Sequence, residues 1–94
     1  MKVRFSAIAT EQLIEQAMFL FEQTMSVEKS DAFLDDMQAY ITTALERFPL
    51  LGRPCFIYGK HIRKLVYRHY SILYKIEEKQ IFILTIYKQN LPRL

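Results

Sequence analysis

Apolar and polar residues alternate in some parts of this chain and recur at helical spacing in others. Residues 1–5 alternate between the two types, which predicts a short opening strand. The later part of the chain is rich in β-branched and aromatic residues, which pack well on a pleated surface. Three strands are predicted there, over 62–67, 70–76 and 81–87. The alternation changes phase near Arg68-His69, which indicates a turn or a bulge.

Two helices are predicted between the opening strand and the later strands. The first has an apolar stripe with a spacing of three and four residues, and Ser6 or Thr10 can cap it. Ser26 caps the second helix, and Pro49 ends it because proline cannot continue a helix. Only a few residues separate the two, which favours an antiparallel helical hairpin.

The order strand, helix, helix, strand, strand, strand predicts an α+β fold, in which a small antiparallel sheet packs against the N-terminal helical hairpin. Ninety-four residues fit a single domain over 1–94. The apolar runs fall far short of the roughly 20 residues that cross a bilayer. The basic start meets Glu11 too early for a signal peptide, and Cys55 is alone. A reducing cytoplasm therefore fits the chain best, and no membrane association is expected.

Charge is distributed unevenly along the chain. Residues 1–46 contain three basic and eight acidic side chains, a net charge of −5, and residues 47–94 contain ten basic and two acidic ones, a net charge of +8. The sum is the net charge of +3. An acidic helical part beside a basic sheet would steer an anionic partner. The alternative is that helices favour glutamate while strands tolerate lysine at solvated edges.

Several segments, in a particular order and spacing, carry a resemblance to a known family. They are the helical hairpin, Phe48-Pro49-Leu50-Leu51-Gly52-Arg53, Ile62-Arg63-Lys64-Leu65, Tyr70–Ile76 and Ile81–Tyr87. On these segments the chain resembles the RelE/ParE superfamily of bacterial type II toxin–antitoxin systems. The resemblance implies a helical hairpin on one face of a small antiparallel sheet. It also implies a toxin–antitoxin hetero-oligomer, in which a flexible antitoxin segment wraps the toxin.

The superfamily includes two activities, and the fold does not choose between them. RelE-like members cut messenger RNA in the ribosome. Attack by the RNA's own 2′-oxygen requires a base, an acid and cations around the phosphate. If the chain is such a nuclease, the candidates are His61, Arg63, Tyr87 and Lys88. His61 has a suitable reference pKa, and Tyr87 and Lys88 match part of the pattern of RelE-like nucleases at the last strand.

ParE-like members poison DNA gyrase and lack the nuclease residues, and several features favour this branch. Gln89 and Asn90 supply neither charge nor a proton where the nucleases carry basic or histidine residues. The link ending at Arg53 also looks more ParE-like. The sequence therefore predicts a gyrase inhibitor, with DNA gyrase as the target and the ribosome with its messenger RNA as the alternative. Candidate target-binding residues are Lys60, His61, Lys88 and Arg93.

The remaining expectations concern ligands and partners. One cysteine and two histidines are too few for a structural zinc site, and no phosphate-binding loop is present, so no metal or cofactor is expected. The antitoxin is expected to present an acidic segment with apolar anchors, docked on the basic sheet or in a helix–sheet groove. A third possibility is a nucleic-acid-binding domain without toxicity, whose binding would weaken steeply with salt.

Overall fold

The computed structural model describes residues 1–88, which form a layer of two helices on a five-stranded sheet. The helices are α1 (Ala7–Thr24) and α2 (Val27–Arg47). The strands are β1 (Lys2–Phe5), β2 (Arg53–Pro54), β3 (Ile62–Tyr67), β4 (Tyr70–Glu77) and β5 (Gln80–Lys88). The predicted α+β fold is confirmed, and the three later strands lie within a residue or two of their predicted bounds.

The strands lie side by side in the order β1-β5-β4-β3-β2. β1 runs parallel to β5, and the other neighbours are antiparallel, so the sheet is mixed. This parallel pairing is possible because the helical hairpin and three strands lie between β1 and β5 in the chain, and parallel strands need a long connection. The two-residue strand β2 adds an element that the sequence did not predict.

Two tight turns join the three later strands. Arg68 and His69 have φ angles of 49° and 70°, and Glu78 and Lys79 have φ angles of 47° and 66°. Positive φ at both central residues is the signature of the two-residue turn whose twist matches that of the flanking strands. The phase change at Arg68-His69 is therefore a turn, as predicted. The bulge lies elsewhere, between Leu73 and Tyr74.

Side chains define the ends of both helices. The hydroxyl of Ser6 accepts a hydrogen bond from the Ala9 amide at 2.9 Å, and that of Ser26 accepts one from the Lys29 amide at 3.1 Å. Each bond satisfies an amide that has no partner within its helix. Of the two caps predicted for α1, Ser6 is the one used. Within residues 1–88, neither helix has the apolar length that a membrane crossing requires.

The core lies between the helical hairpin and one face of the sheet. Its buried members are Ala9, Leu13, Met37, Ile41, Leu45, Leu65, Ile72, Tyr74, Ile81, Ile83 and Ile86. Directly opposite residues in neighbouring strands share a face, and by the strand register the sheet members of this core all lie on the same face. We call the other side of the sheet, which faces away from the helices, the open face.

Candidate functional site

A cleft of about 380 Å³ lies beside the segment between α2 and β3. Three of the predicted site residues line it: Lys60, His61 and Arg63. Lys60 and His61 are exposed in the loop that precedes β3, and Phe56 contributes an exposed aromatic ring. This cleft, called the link cleft below, brings a histidine and cations together in reach of a partner.

Two main-chain carbonyls accept hydrogen bonds from the Arg63 guanidinium. Its Nη1 donates hydrogen bonds to the Gly52 carbonyl at 2.5 Å and to the Leu50 carbonyl at 3.4 Å. The buried Tyr74 hydroxyl donates to the Pro49 carbonyl at 2.8 Å and accepts from the Gly52 amide at 2.8 Å. Arg63 and Tyr74 therefore fix the segment after α2 against the sheet. Arg63 has correspondingly fewer donors to offer a phosphate.

Lys88 and Tyr87 lie away from the link cleft. Lys88 pairs with Tyr70 at one end of β4, whereas Arg63 pairs with Tyr74. The Cα atoms of Arg63 and Lys88 therefore lie roughly 16 Å apart, because four residues along a strand and two strand spacings across the sheet separate them. Lys88 faces the helical layer beyond the core, and its neighbour Tyr87 points to the open face. The four residues proposed for nuclease chemistry are thus distributed over three places.

A second concave surface lies between the helical hairpin and the turn that joins β3 to β4. It consists of two adjoining clefts of about 280 and 530 Å³. We call it the helix–sheet groove, and its lining includes Gln16, Phe19, Leu20, Lys29, Phe33, Asp36, Arg68, Tyr70 and Lys88. Aromatic and aliphatic side chains are joined there by three cations and one carboxylate. Such a lining suits a partner with apolar anchors and acidic groups.

Asp36 has partners on two sides in this groove. Its carboxylate lies 2.9 Å from the Arg68 guanidinium and accepts a hydrogen bond from the Tyr67 hydroxyl at 2.8 Å. That hydrogen bond is the main reason why the pKa of Tyr67 is raised. The ring of Tyr67 stacks on Tyr40 with centroids 3.7 Å apart. These contacts fix the wall of the groove. Lys29 and Lys88, which also line the groove, take no part in them.

Three exposed or half-buried tyrosines, Tyr58, Tyr70 and Tyr87, occupy different environments. Tyr70 packs against Phe33 with ring centroids 5.5 Å apart, and burial raises its pKa, so it is a packing residue. Tyr58 is 57% exposed. The phenol of Tyr87 lies beside it and is the main cause of its raised pKa. Because Tyr87 points to the open face, the loop that carries Tyr58 lies over part of that face.

Some predicted residues cannot be compared with the structure. Arg93, and the Gln89 and Asn90 that weighed against a nuclease, lie outside the described residues. Among residues 1–88, no group of three or more His, Cys, Asp or Glu side chains could hold a metal ion. His69 is exposed in the turn after β3.

The sequence predicted docking on the basic sheet or in a helix–sheet groove, but it did not predict which residues line the groove. Its residues come from α1, α2, the turn after β3, β4 and β5, and only the tertiary fold brings them together. A weak signal existed in Phe19, a large aromatic that falls outside the apolar stripe of α1 and is 54% exposed. An exposed aromatic beside acidic residues on a helix is a reason to look for a partner.

Comparisons with known proteins identify the family. The family model described as "ParE toxin of type II toxin-antitoxin system, parDE" matches residues 3–90. None of the curated proteins matches the sequence. A chain of the chromosomal ParDE toxin–antitoxin system from P. aeruginosa is similar in structure, with a TM-score of 0.78 at 19% identity, covering 96% of this chain and 97% of that one.

A second similar structure comes from the toxin–antitoxin complex RelBE2 of Mycobacterium tuberculosis. Its TM-score is 0.62 at 20% identity, and the match covers 94% of this chain and 96% of that one. At these identities the two structures support the fold, and the family model supplies the membership. The chain belongs to the ParE toxin family of type II toxin–antitoxin systems, within the ParE/RelE superfamily.

Proposed function

We propose that the chain inhibits DNA gyrase in the cytoplasm and thereby stops growth. The observation that carries this proposal is the match of the ParE family model to residues 3–90. The separation of the nuclease candidates supports it. Proton transfer and phosphate clamping require groups within a few ångströms of one reacting phosphate, whereas the Cα atoms of Arg63 and Lys88 lie roughly 16 Å apart by the strand register.

The test is a supercoiling assay with purified gyrase, relaxed plasmid and ATP. We expect the full chain to inhibit supercoiling or to accumulate cleaved DNA. The double variant Lys60→Ala/His61→Ala, which removes the exposed polar groups of the link cleft, should weaken inhibition at least fivefold. Lys79→Ala, at the turn between β4 and β5, is the matched control. Unimpaired supercoiling at a large excess of folded protein would refute the proposal.

A RelE-like nuclease is the second candidate, because Lys60, His61 and Arg63 share the link cleft. Histidine beside cations is a plausible base next to a phosphate site. Ribosomes translating a defined messenger RNA distinguish this candidate from the first. Cleavage within codons that His61→Ala or Lys88→Ala abolishes would favour the nuclease, and an intact transcript favours the gyrase inhibitor.

We further propose that a cognate antitoxin neutralises the chain by placing a flexible segment in the helix–sheet groove. Both similar structures come from toxin–antitoxin systems. The groove offers apolar and aromatic side chains such as Phe19, Leu20 and Phe33, with Lys29 and Lys88 at its sides. A segment with apolar anchors and carboxylates complements both features. It would become ordered on binding, as disordered segments do.

Binding of the antitoxin encoded beside the gene tests this second proposal. Phe19→Ala should weaken binding at least fivefold, since a truncated anchor of this kind costs more than about 1 kcal/mol at an interface. Ile14→Ala, an exposed apolar residue of α1 outside the groove lining, is the control. Equal losses for the two variants would contradict docking in the groove.

A further inference from the structure

Positive charge is concentrated on the open face of the sheet. In each strand the residues between the core positions point to this face, because side chains alternate along a strand. The cations at these positions are Lys2, Arg4, Arg53, Lys64 and Lys75. Within residues 1–88, Glu77 is the one acidic residue at an open-face strand position, and it pairs with Lys75 at 2.9 Å. The strands thus present four more positive than negative charges.

The helical layer on the other side of the molecule has the opposite charge. α1 and α2 together contain eight acidic and two basic residues, a net charge of −6. The charge asymmetry of the sequence therefore becomes an asymmetry between two faces of a thin molecule. A polyanion that approaches this field is turned towards the open face.

Aromatic side chains accompany the cations. Phe82 lies between Arg4 and Lys75 in the strand register, and the Lys75 ammonium lies 5.8 Å from the centre of its ring. Tyr58 and Tyr87 lie beside each other on the same side of the sheet. Rings among cations are the pattern with which sheets contact nucleic acids, since phosphates bind the cations and bases stack on the rings.

The dimensions of the cationic surface match an extended polyanion. The cations extend from β1 to β2, which are four strand spacings or about 19 Å apart. Duplex DNA carries one negative charge per about 1.7 Å, so about 11 phosphate charges fall within this span. An antitoxin segment depends on apolar anchors instead, and the apolar lining described above lies in the helix–sheet groove. The open face thus suits phosphates better than a peptide.

We infer that the open face binds the phosphate backbone of a nucleic acid directly, with Arg4, Lys64 and Arg53 as its main contacts. This goes beyond gyrase inhibition, because it requires no protein target. A toxin that also holds DNA would add its own contacts to a complex of gyrase and DNA. The same surface would give the chain a gyrase-independent affinity for nucleic acid of any sequence.

Fluorescence anisotropy with the full chain, a labelled duplex of about 20 base pairs and no gyrase tests the inference. Arg4→Gln/Lys64→Gln should lower the affinity about tenfold or more at 0.1 M salt and reduce the slope of log K against log salt by about 2. The control Arg47→Gln/Lys79→Gln removes the same charge at positions outside the open-face strand positions and should change the affinity less than threefold. Circular dichroism confirms that all variants are folded.

Three outcomes would overturn the inference: no binding of either the duplex or single-stranded RNA at 50 mM salt, equal losses in both double variants, or equally tight binding of polyglutamate in competition. Binding to single-stranded RNA and not to the duplex would support the phosphate site and assign it to RNA. The gyrase assay is read separately, because a chain can inhibit supercoiling without binding free DNA. Failure of one proposal is therefore distinguishable from failure of the other.

Discussion

The Tyr74 side chain connects the core to the segment after α2. Its ring is fully buried, and its hydroxyl bonds both the Pro49 carbonyl and the Gly52 amide. A Cβ added at Gly52 would come within 2.7 Å of the Tyr74 ring and within 2.9 Å of the Lys64 carbonyl. Position 52 therefore requires glycine because of close approach. Arg63 donates hydrogen bonds to the Gly52 and Leu50 carbonyls of the same segment, and so helps to shape the wall of the link cleft.

Removing the Tyr74 hydroxyl should destabilise the fold. Tyr74→Phe leaves the Pro49 carbonyl and the Gly52 amide without their partner, so we expect a loss of about 1–3 kcal/mol in the free energy of unfolding. Urea denaturation measures it. Tyr70→Phe is the matched control, because its hydroxyl makes one long bond of 3.3 Å to Gln16. A loss in Tyr70→Phe as large as that in Tyr74→Phe would count against this assignment.

Alkaline pH should destabilise the protein through the same residue. Burial is the main reason why the pKa of Tyr74 is raised above the ordinary 10.0. The folded state therefore holds the phenolic proton more tightly than the unfolded chain does, so this stabilisation is present below about pH 10 and is lost as the pH rises through the folded pKa. The unfolding free energy should fall above about pH 10, and the fall should be smaller in Tyr74→Phe. Identical pH profiles for the two proteins would exclude Tyr74 as the cause.

At the scale of elements, Ser6 joins a strand, a helix and a second strand. Its hydroxyl caps α1 by accepting from the Ala9 amide and donates to the Leu84 carbonyl at 2.9 Å. Its amide also donates to the Ile83 carbonyl. The start of α1 is thereby attached to the parallel pair of β1 and β5. Ser26 caps α2 by accepting a hydrogen bond from the Lys29 amide, and among the described residues its side chain makes no hydrogen bond to the sheet.

Ser6→Ala should therefore cost more than Ser26→Ala. Loss of a serine cap costs about 0.5–2 kcal/mol, and Ser6→Ala also deprives the Leu84 carbonyl of a donor. We expect about 2 kcal/mol for Ser6→Ala and about 1 kcal/mol for Ser26→Ala in chemical denaturation. The reverse order of the two losses would show that the bond to β5 contributes little.

The spacing of apolar residues predicted the helices and strands well, because this spacing is set within each element and is therefore visible in the local sequence. Pairing across the sheet is not local. The parallel partner of β1 leaves no mark in the alternation, and β2 is too short to show one. The sequence identified Arg63 and Lys88 as candidate cations of one site. Their separation across the core depends on strand pairing, so the sequence could not reveal it.

At the scale of the whole molecule, two surfaces differ in character. The helix–sheet groove combines apolar side chains with cations, whereas the open face presents cations around aromatic rings. If the antitoxin and a nucleic acid use different surfaces, both can bind one toxin molecule together. Each surface then has its own dependence on salt, because phosphate contacts are the more strongly screened.

Charge reversal at Lys88 should slow antitoxin association more than it speeds dissociation. Lys88 lines the groove at its exposed side, and rim charges act mainly on the association rate. We expect Lys88→Glu to lower that rate at least threefold at low salt, with the difference shrinking at high salt. Stopped-flow mixing measures it, and Lys79→Glu at the far turn is the control. A change confined to the dissociation rate would argue that Lys88 is buried in the complex.

The central position of β5 has a consequence for synthesis. β5 is the last of the described strands to leave the ribosome, yet it lies between β1 and β4 and supplies Ile81, Ile83 and Ile86 to the core. Folding must therefore join the first and last strands, a contact of long sequence separation that forms slowly. Until then the nascent toxin lacks a closed core. The helix–sheet groove, to which β5 contributes Lys88, is also incomplete until then.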